Sequence, residues 1–168
     1  MSRLSLATPI IAFVLTTGFA RSQEPPPLTM LGLAPGVTKS ALQEDVAKLG
    51  GKLECKTASA NPRIADCTAP LVRGEDGRRW SLLASMVDGS AGIVLLKATV
   101  SDQELAQLTR DLVAALGRPN LRQQHDQVTY EWIRSGRSMR LASRGERGRS
   151  QVSVSLIDGA VLDGLGAH

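Results

Sequence analysis

The chain has 168 residues, of which 42% are hydrophobic and 3% aromatic, and its formal net charge is +4. This length fits one domain with a substantial core, and the scarcity of aromatic residues means that leucine, valine, isoleucine and alanine must fill that core. No apolar run after the N-terminal segment approaches the roughly 20 residues of a transmembrane helix. We therefore expect no transmembrane helix beyond that segment.

The N-terminal segment has the three parts of a secretory signal peptide. Arg3 supplies a positive charge, residues 4–15 are mostly apolar, and Gly18 and Ala20 place small residues at positions −3 and −1 of a cleavage site. This pattern predicts that residues 1–20 are removed and that the mature protein is periplasmic or secreted. An uncleaved membrane anchor is the alternative interpretation.

Residues 21–27 form a polar segment that ends in three consecutive prolines, which favour an extended conformation and forbid a helix. The sequence thus predicts a proline-rich tether, a single folded domain at residues 28–163 and a flexible tail at residues 164–168.

Two segments carry apolar residues at helical spacing, and they resemble each other. The first follows Thr38 and ends at Gly50, and the second follows Ser101 and ends at Gly117. The hydroxyl residues are suited to N-capping, the glycines close a helix, and Glu104 completes a capping box with Ser101. The offset of 63 residues between the two hydroxyl positions indicates a duplicated half-domain. Chance similarity between two amphipathic helices is the alternative.

Strand-like segments follow each predicted helix, with turn residues between them. In the first half they are residues 52–57, 64–68, 80–87 and 93–100, with connections at 58–63 and 88–92. In the second half, alternating runs around residues 128–132, 139–141 and 152–156 are joined by hairpin-like connections at 135–137 and 145–149. The sequence therefore predicts an α+β fold of two helix-plus-antiparallel-strand units, whose helices pack on an antiparallel sheet.

Cys55 and Cys67 are the only cysteines. In an oxidising compartment two cysteines form one disulfide by default. A metal pair is the alternative, but two thiolates with no histidine nearby rarely make a site. We expect no cofactor.

Residues 31–38 read LGLAPGVT, and residues 116–119 read LGRP. These two short stretches resemble the G-Φ-x-x-G-M-[ST] opening and the L-G-x-P that often closes the helices of small bacterial envelope proteins of the BamE-like and β-lactamase-inhibitor-protein-like families. This chain has valine where methionine is usual and lacks the lipoprotein cysteine of BamE. The resemblance implies helices on an antiparallel sheet and a non-enzymatic, protein-binding role, and it transfers no individual functional residue.

Six arginines lie between positions 134 and 149, against the single acid Glu146. Arg140 and Arg144 alternate with Met139 and Leu141, so they should line the solvent face of their strand. Arginine matches the geometry of carboxylate and phosphate groups. The sequence thus predicts a basic C-terminal sheet face that holds an acidic envelope protein or an anionic polymer rather than nucleic acid. An ordinary solvated face is the alternative. The predicted partner-binding residues are Arg134, Arg137, Arg140, Arg144, Arg147 and Arg149.

Two other functions remain open. The resemblance to inhibitor proteins favours a secreted inhibitor of another enzyme, with residues 59–63 inside the disulfide loop as its anchor. A small periplasmic hydrolase is the second alternative, although the sequence contains no nucleophile elbow, His-Glu-x-x-His pair or phosphate-binding loop. His125 lies in a polar stretch and is interpreted as a solvated residue rather than a general base. We therefore predict no catalytic residue.

Overall fold

The structure is a computed structural model that describes residues 26–71, 79–124, 127–146 and 148–165. The predicted signal peptide, most of the predicted tether, His125 and Arg147 lie outside the described residues.

Within the described ranges the chain forms three helices and eight strands, and a helix followed by four strands occurs twice in succession. The first set is α1 (Lys39–Lys48), β1 (Glu54–Ala58), β2 (Asn61–Leu71), β3 (Trp80–Val87) and β4 (Ser90–Ser101). The second set is α2 (Asp102–Leu116), β5 (Asn120–Gln124), β6 (Gln127–Arg134), β7 (Arg137–Glu146) and β8 (Arg149–Asp158). The short helix α3 (Gly159–Asp163) follows β8.

All eight strands belong to one antiparallel sheet, in the order β1-β2-β3-β4-β8-β7-β6-β5. Each set of four strands is a meander. The two meanders join where β4 pairs with β8, from the pair Ile93–Ile157 to the pair Ser101–Arg149. This central pairing places residues from the two halves of the chain side by side.

The predicted fold class, an α+β fold of two helix-plus-antiparallel-strand units with helices packed on an antiparallel sheet, is wrong. Strands contain 55% of the described residues and helices 23%, so the protein is mostly one large sheet. The connections are shorter than predicted, because β1 and β2 are separated by two residues and not by residues 58–63. The residues assigned to that connection lengthen β2, and β5 adds a strand that was not predicted.

The predicted ends of the two longer helices are confirmed. Thr38 is the N-cap of α1 and its hydroxyl accepts a hydrogen bond from the Ala41 amide. Ser101 and Glu104 form the capping box of α2, in which the Ser101 amide donates to the Glu104 carboxylate at 2.7 Å. Gly117 ends α2 with a φ of +79°, a conformation that glycine adopts without steric cost.

The core lies on one face of the sheet, beneath α1, α2 and the segment that precedes α1. Leu42 and Val46 of α1 are fully buried there, as is Leu33 from the preceding segment. The apolar side chains of α2 and of the central strands complete this core: Leu108, Leu112, Leu116, Leu82, Leu96, Leu141 and Leu156. We call the sheet face opposite α1 and α2 the open face.

The predicted disulfide is confirmed, since Cys55 on β1 is bonded to Cys67, which lies directly opposite it on β2. The bond ties the edge strand β1 to the rest of the sheet. In the chain-entropy account, closing a loop of this length contributes about 2–3 kcal/mol to the free energy of unfolding.

We therefore expect Cys55→Ser to lower the free energy of unfolding by about 2–3 kcal/mol, as measured by urea denaturation. Cys55→Ser/Cys67→Ser should lose the same amount, and reducing the wild type should bring it to the level of the variants. Equal stability of the wild type and the double variant under oxidising conditions would contradict this prediction.

Candidate functional site

The alternation predicted for β7 is confirmed. Met139 and Leu141 are fully buried against the helices, whereas Arg140 and Arg144 are exposed on the open face. Successive side chains of a strand point to opposite faces of the sheet, so the two exposed arginines share one face.

Arg134 and Arg137 form hydrogen bonds within the fold, and they do not form a common surface with Arg140 and Arg144. The guanidinium of Arg134 donates hydrogen bonds to the carbonyl oxygens of Pro26 and Leu116. It thereby joins the last part of the predicted tether to the end of α2.

Arg137 forms an ion pair with a buried carboxylate. Its Nε atom lies 2.8 Å from Oδ2 of Asp158, whose side chain is only 7% exposed. The other oxygen of Asp158 accepts a hydrogen bond from the Val161 amide at the start of α3. Gly36, with a φ of +84°, lies against this pair, and a Cβ atom there would collide with the Asp158 carboxylate.

The remaining predicted arginines differ in their surroundings. On the open face, Arg140 forms an ion pair of 2.8 Å with Glu131, the residue directly opposite it on β6, so the two charges largely offset each other. Arg149 is exposed at the start of β8, where it pairs with Ser101. Arg144 is exposed and lines a groove that crosses the open face.

This groove has a volume of about 610 Å³ and runs across the strands at the end of the sheet where β4 leads into α2. Short side chains form its base, because Ser81, Ser153 and Ala142 lie in one cross-strand row with Lys97. The lining residues come from β2, β3, β4, β6, β7 and β8 and from the residue preceding β3: Pro70, Arg79, Trp80, Ser81, Lys97, Ala98, Thr99, Gln127, Ala142, Ser143, Arg144, Gln151, Val152 and Ser153.

The groove is basic. Arg79, Lys97 and Arg144 line it, and the described residues of its lining include no aspartate or glutamate. Arg79 precedes β3 and Arg144 lies on β7, so three strand spacings separate them in the sheet order. At about 4.8 Å per spacing the three cations extend over roughly 14 Å. Cations along the walls of a cleft concentrate a positive potential inside it.

Sequence reasoning missed Arg79 and Lys97 as site residues. Lys97 is an isolated cation in an apolar run, and it reaches the groove because β4 pairs with β8, which places Lys97 opposite Ser153. The sequence does show that Lys97 lies near the polar Thr99, which is also exposed, close to the end of β4. The strand order is needed to show that Lys97 lies beside the other residues of the groove.

Residues 59–63, the loop predicted as an inhibitory anchor, are bonded to neighbouring parts of the fold through Arg63. The turn between β1 and β2 consists of Ser59 and Ala60. Arg63, the last residue of the predicted loop, forms an ion pair of 2.7 Å with Asp88 and donates to the carbonyl of Gly164 at 2.9 Å. Hydrogen bonds with Asp88 raise the pKa of the Arg63 guanidinium, so its charge is engaged within the fold.

Among the described residues, no group of three or more histidine, cysteine, aspartate or glutamate side chains is suited to hold a metal ion. None of the helices in the described ranges has the length and apolar character needed to cross a membrane.

Comparisons with protein-family models, with curated proteins and with solved structures gave no match to this chain.

Proposed function

We propose that this is an exported, non-catalytic binding protein of the cell envelope, which holds an acidic partner in the groove of its open face. The observation that supports the proposal is the lining of the groove: Arg79, Lys97 and Arg144 surround a base of short side chains, with no acidic residue among the described lining. The partner is an acidic envelope protein or an anionic polymer.

The chemistry of the groove suits recognition of several anionic groups together. Guanidinium and ammonium groups only donate hydrogen bonds, and the hydroxyls of Ser81, Ser153 and Thr99 supply further donors and acceptors beside them. Complementary charge raises the rate of association and the discrimination between partners. Because these cations are exposed, the attraction should weaken as salt rises.

Export is supported by two features. The disulfide between Cys55 and Cys67 is typical of proteins that fold in an oxidising compartment. The N-terminal sequence has the charge, apolar stretch and small residues of a signal peptide.

The test removes two of the three cations. A fluorescein-labelled hexaglutamate peptide serves as the probe, and its binding is measured by fluorescence anisotropy. Removing two exposed charges at about 1 kcal/mol each should weaken binding roughly 30-fold in Lys97→Ala/Arg144→Ala. Raising the salt concentration from about 50 to about 200 mM should weaken binding by the wild type.

The matched control is Lys39→Ala/Arg118→Ala, which removes one lysine and one arginine that are also exposed but lie outside the groove. It should bind hexaglutamate like the wild type. Equal loss in both double variants would show that net charge, and not the groove, attracts the peptide, and it would refute the proposal.

A further inference from the structure

Two leucines lie on the open face beside the basic groove. Leu83 on β3 and Leu95 on β4 are directly opposite each other, and Leu83 is 47% exposed. Leu95 is half-buried and does not belong to the apolar cluster under the helices. One step further along the strands, Ile93 and Ile157 form another directly opposite, half-buried pair. The four side chains form a continuous apolar strip.

The strip is continuous with the groove. Leu83 is two residues from Ser81 and Leu95 is two residues from Lys97, and residues at this spacing on one strand share a face about 7 Å apart. A ligand seated over Lys97 therefore extends over Leu95 and Leu83 without leaving the sheet. Scattered exposed leucines are ordinary on protein surfaces, whereas a contiguous apolar patch rimmed by polar residues is typical of interaction sites.

We infer that the partner is a protein, which inserts a short segment carrying both carboxylates and large apolar side chains. The carboxylates contact Arg79, Lys97 and Arg144, and the apolar side chains contact Leu83 and Leu95. This inference rests on the proposed function and narrows its partner class. A sulfated or phosphorylated polymer has no large apolar side chain to bury against the leucines, so the strip would stay exposed in such a complex.

The dimensions of the site set the length of the segment. The three cations extend over roughly 14 Å, and an extended chain advances about 3.3 Å per residue, so about four residues cross the groove. The short side chains of Ser81, Ser153 and Ala142 along the base leave room for the backbone of that segment. A loop of a folded protein fits this description.

The test compares two labelled six-residue peptides with four glutamates each, in which the other two residues are leucines in one peptide and serines in the other. Dextran sulfate, as an unlabelled competitor, represents anionic polymers. Wild-type protein should bind the leucine peptide about tenfold more tightly than the serine peptide. In Leu83→Ser this preference should disappear, while binding of the serine peptide stays unchanged.

Leu121→Ser is the matched control, since Leu121 is 60% exposed on the edge strand β5, away from the groove. It should keep the full preference for the leucine peptide, and melting temperatures show that each variant is folded.

The inference is overturned if the wild type binds both peptides equally or if Leu83→Ser keeps the preference. It is also overturned if dextran sulfate displaces both peptides from the wild type and from Leu83→Ser equally well. Equal binding of both peptides that depends on Lys97 and Arg144 overturns this inference alone. Binding of neither peptide overturns the proposed function with it.

Discussion

Arg137→Ala should lower the free energy of unfolding by about 3 kcal/mol. The carboxylate of Asp158 is almost entirely buried and pairs with Arg137, so the substitution leaves a buried charge without its partner. Breaking a buried pair in this way costs about 3–5 kcal/mol. We expect the lower end of that range because the Arg137 side chain is itself 46% exposed and water can reach the space that it leaves.

Urea denaturation followed by circular dichroism measures this loss, with Arg149→Ala as the matched control. Arg149 is exposed, and its removal should change stability by no more than about 0.5 kcal/mol. Adding Asp158→Asn to Arg137→Ala removes the unpaired carboxylate charge and should restore part of the lost stability. If Arg137→Ala costs no more than Arg149→Ala, or if the double variant recovers nothing, the structural role assigned to Arg137 is wrong.

The elements that were predicted from the sequence are those with local signals. The caps of α1 and α2 depend on residues three positions apart, such as Ser101 and Glu104, and such contacts are the same in any fold. The alternation of Met139 and Leu141 with exposed arginines reflects the two faces of a single strand. The pairing of Cys55 with Cys67 needed no structure because the chain has no third cysteine.

The β-rich character of the fold was missed because parts of the sheet lack such signals. All five residues of β5 are exposed, so this edge strand shows no alternation of apolar and polar residues. Pro62 and Asn61 are typical turn residues, yet they begin β2, and Pro70 lies near its end. The pairing of β4 with β8 joins residues that are 48 to 64 positions apart, and no short pattern predicts it.

Of the three cations in the candidate site, Arg144 was among the arginines predicted from the sequence, and Arg79 and Lys97 were not. The density of arginines between positions 134 and 149 predicted a basic sheet face, and Arg144 from this set lines the groove. It did not show that Arg134, Arg137 and Arg140 are engaged by neighbouring groups within the fold. Arg79 and Lys97 join Arg144 only through the order of the strands.

Reversing the charge of the groove should abolish the binding of acidic ligands. Lys97→Glu/Arg144→Glu replaces two attractions of about 1 kcal/mol by two repulsions of similar size. The total change of about 4 kcal/mol corresponds to a loss of affinity for hexaglutamate of roughly 1,000-fold. Lys39→Glu/Arg118→Glu has the same net charge and should lose much less, because its substitutions lie outside the groove.

The position at which an acidic ligand binds is the most direct test of the account. Titration of ¹⁵N-labelled protein with hexaglutamate, followed by amide chemical shifts, measures that position residue by residue. We expect the largest shifts at Ser81, Lys97, Ser153 and Arg144, which line the groove, and no shifts in α1. In Lys97→Glu/Arg144→Glu these shifts should vanish. Shifts concentrated on α1 or α2, with the groove amides unchanged, would contradict the claim that the open face of the sheet is the binding site.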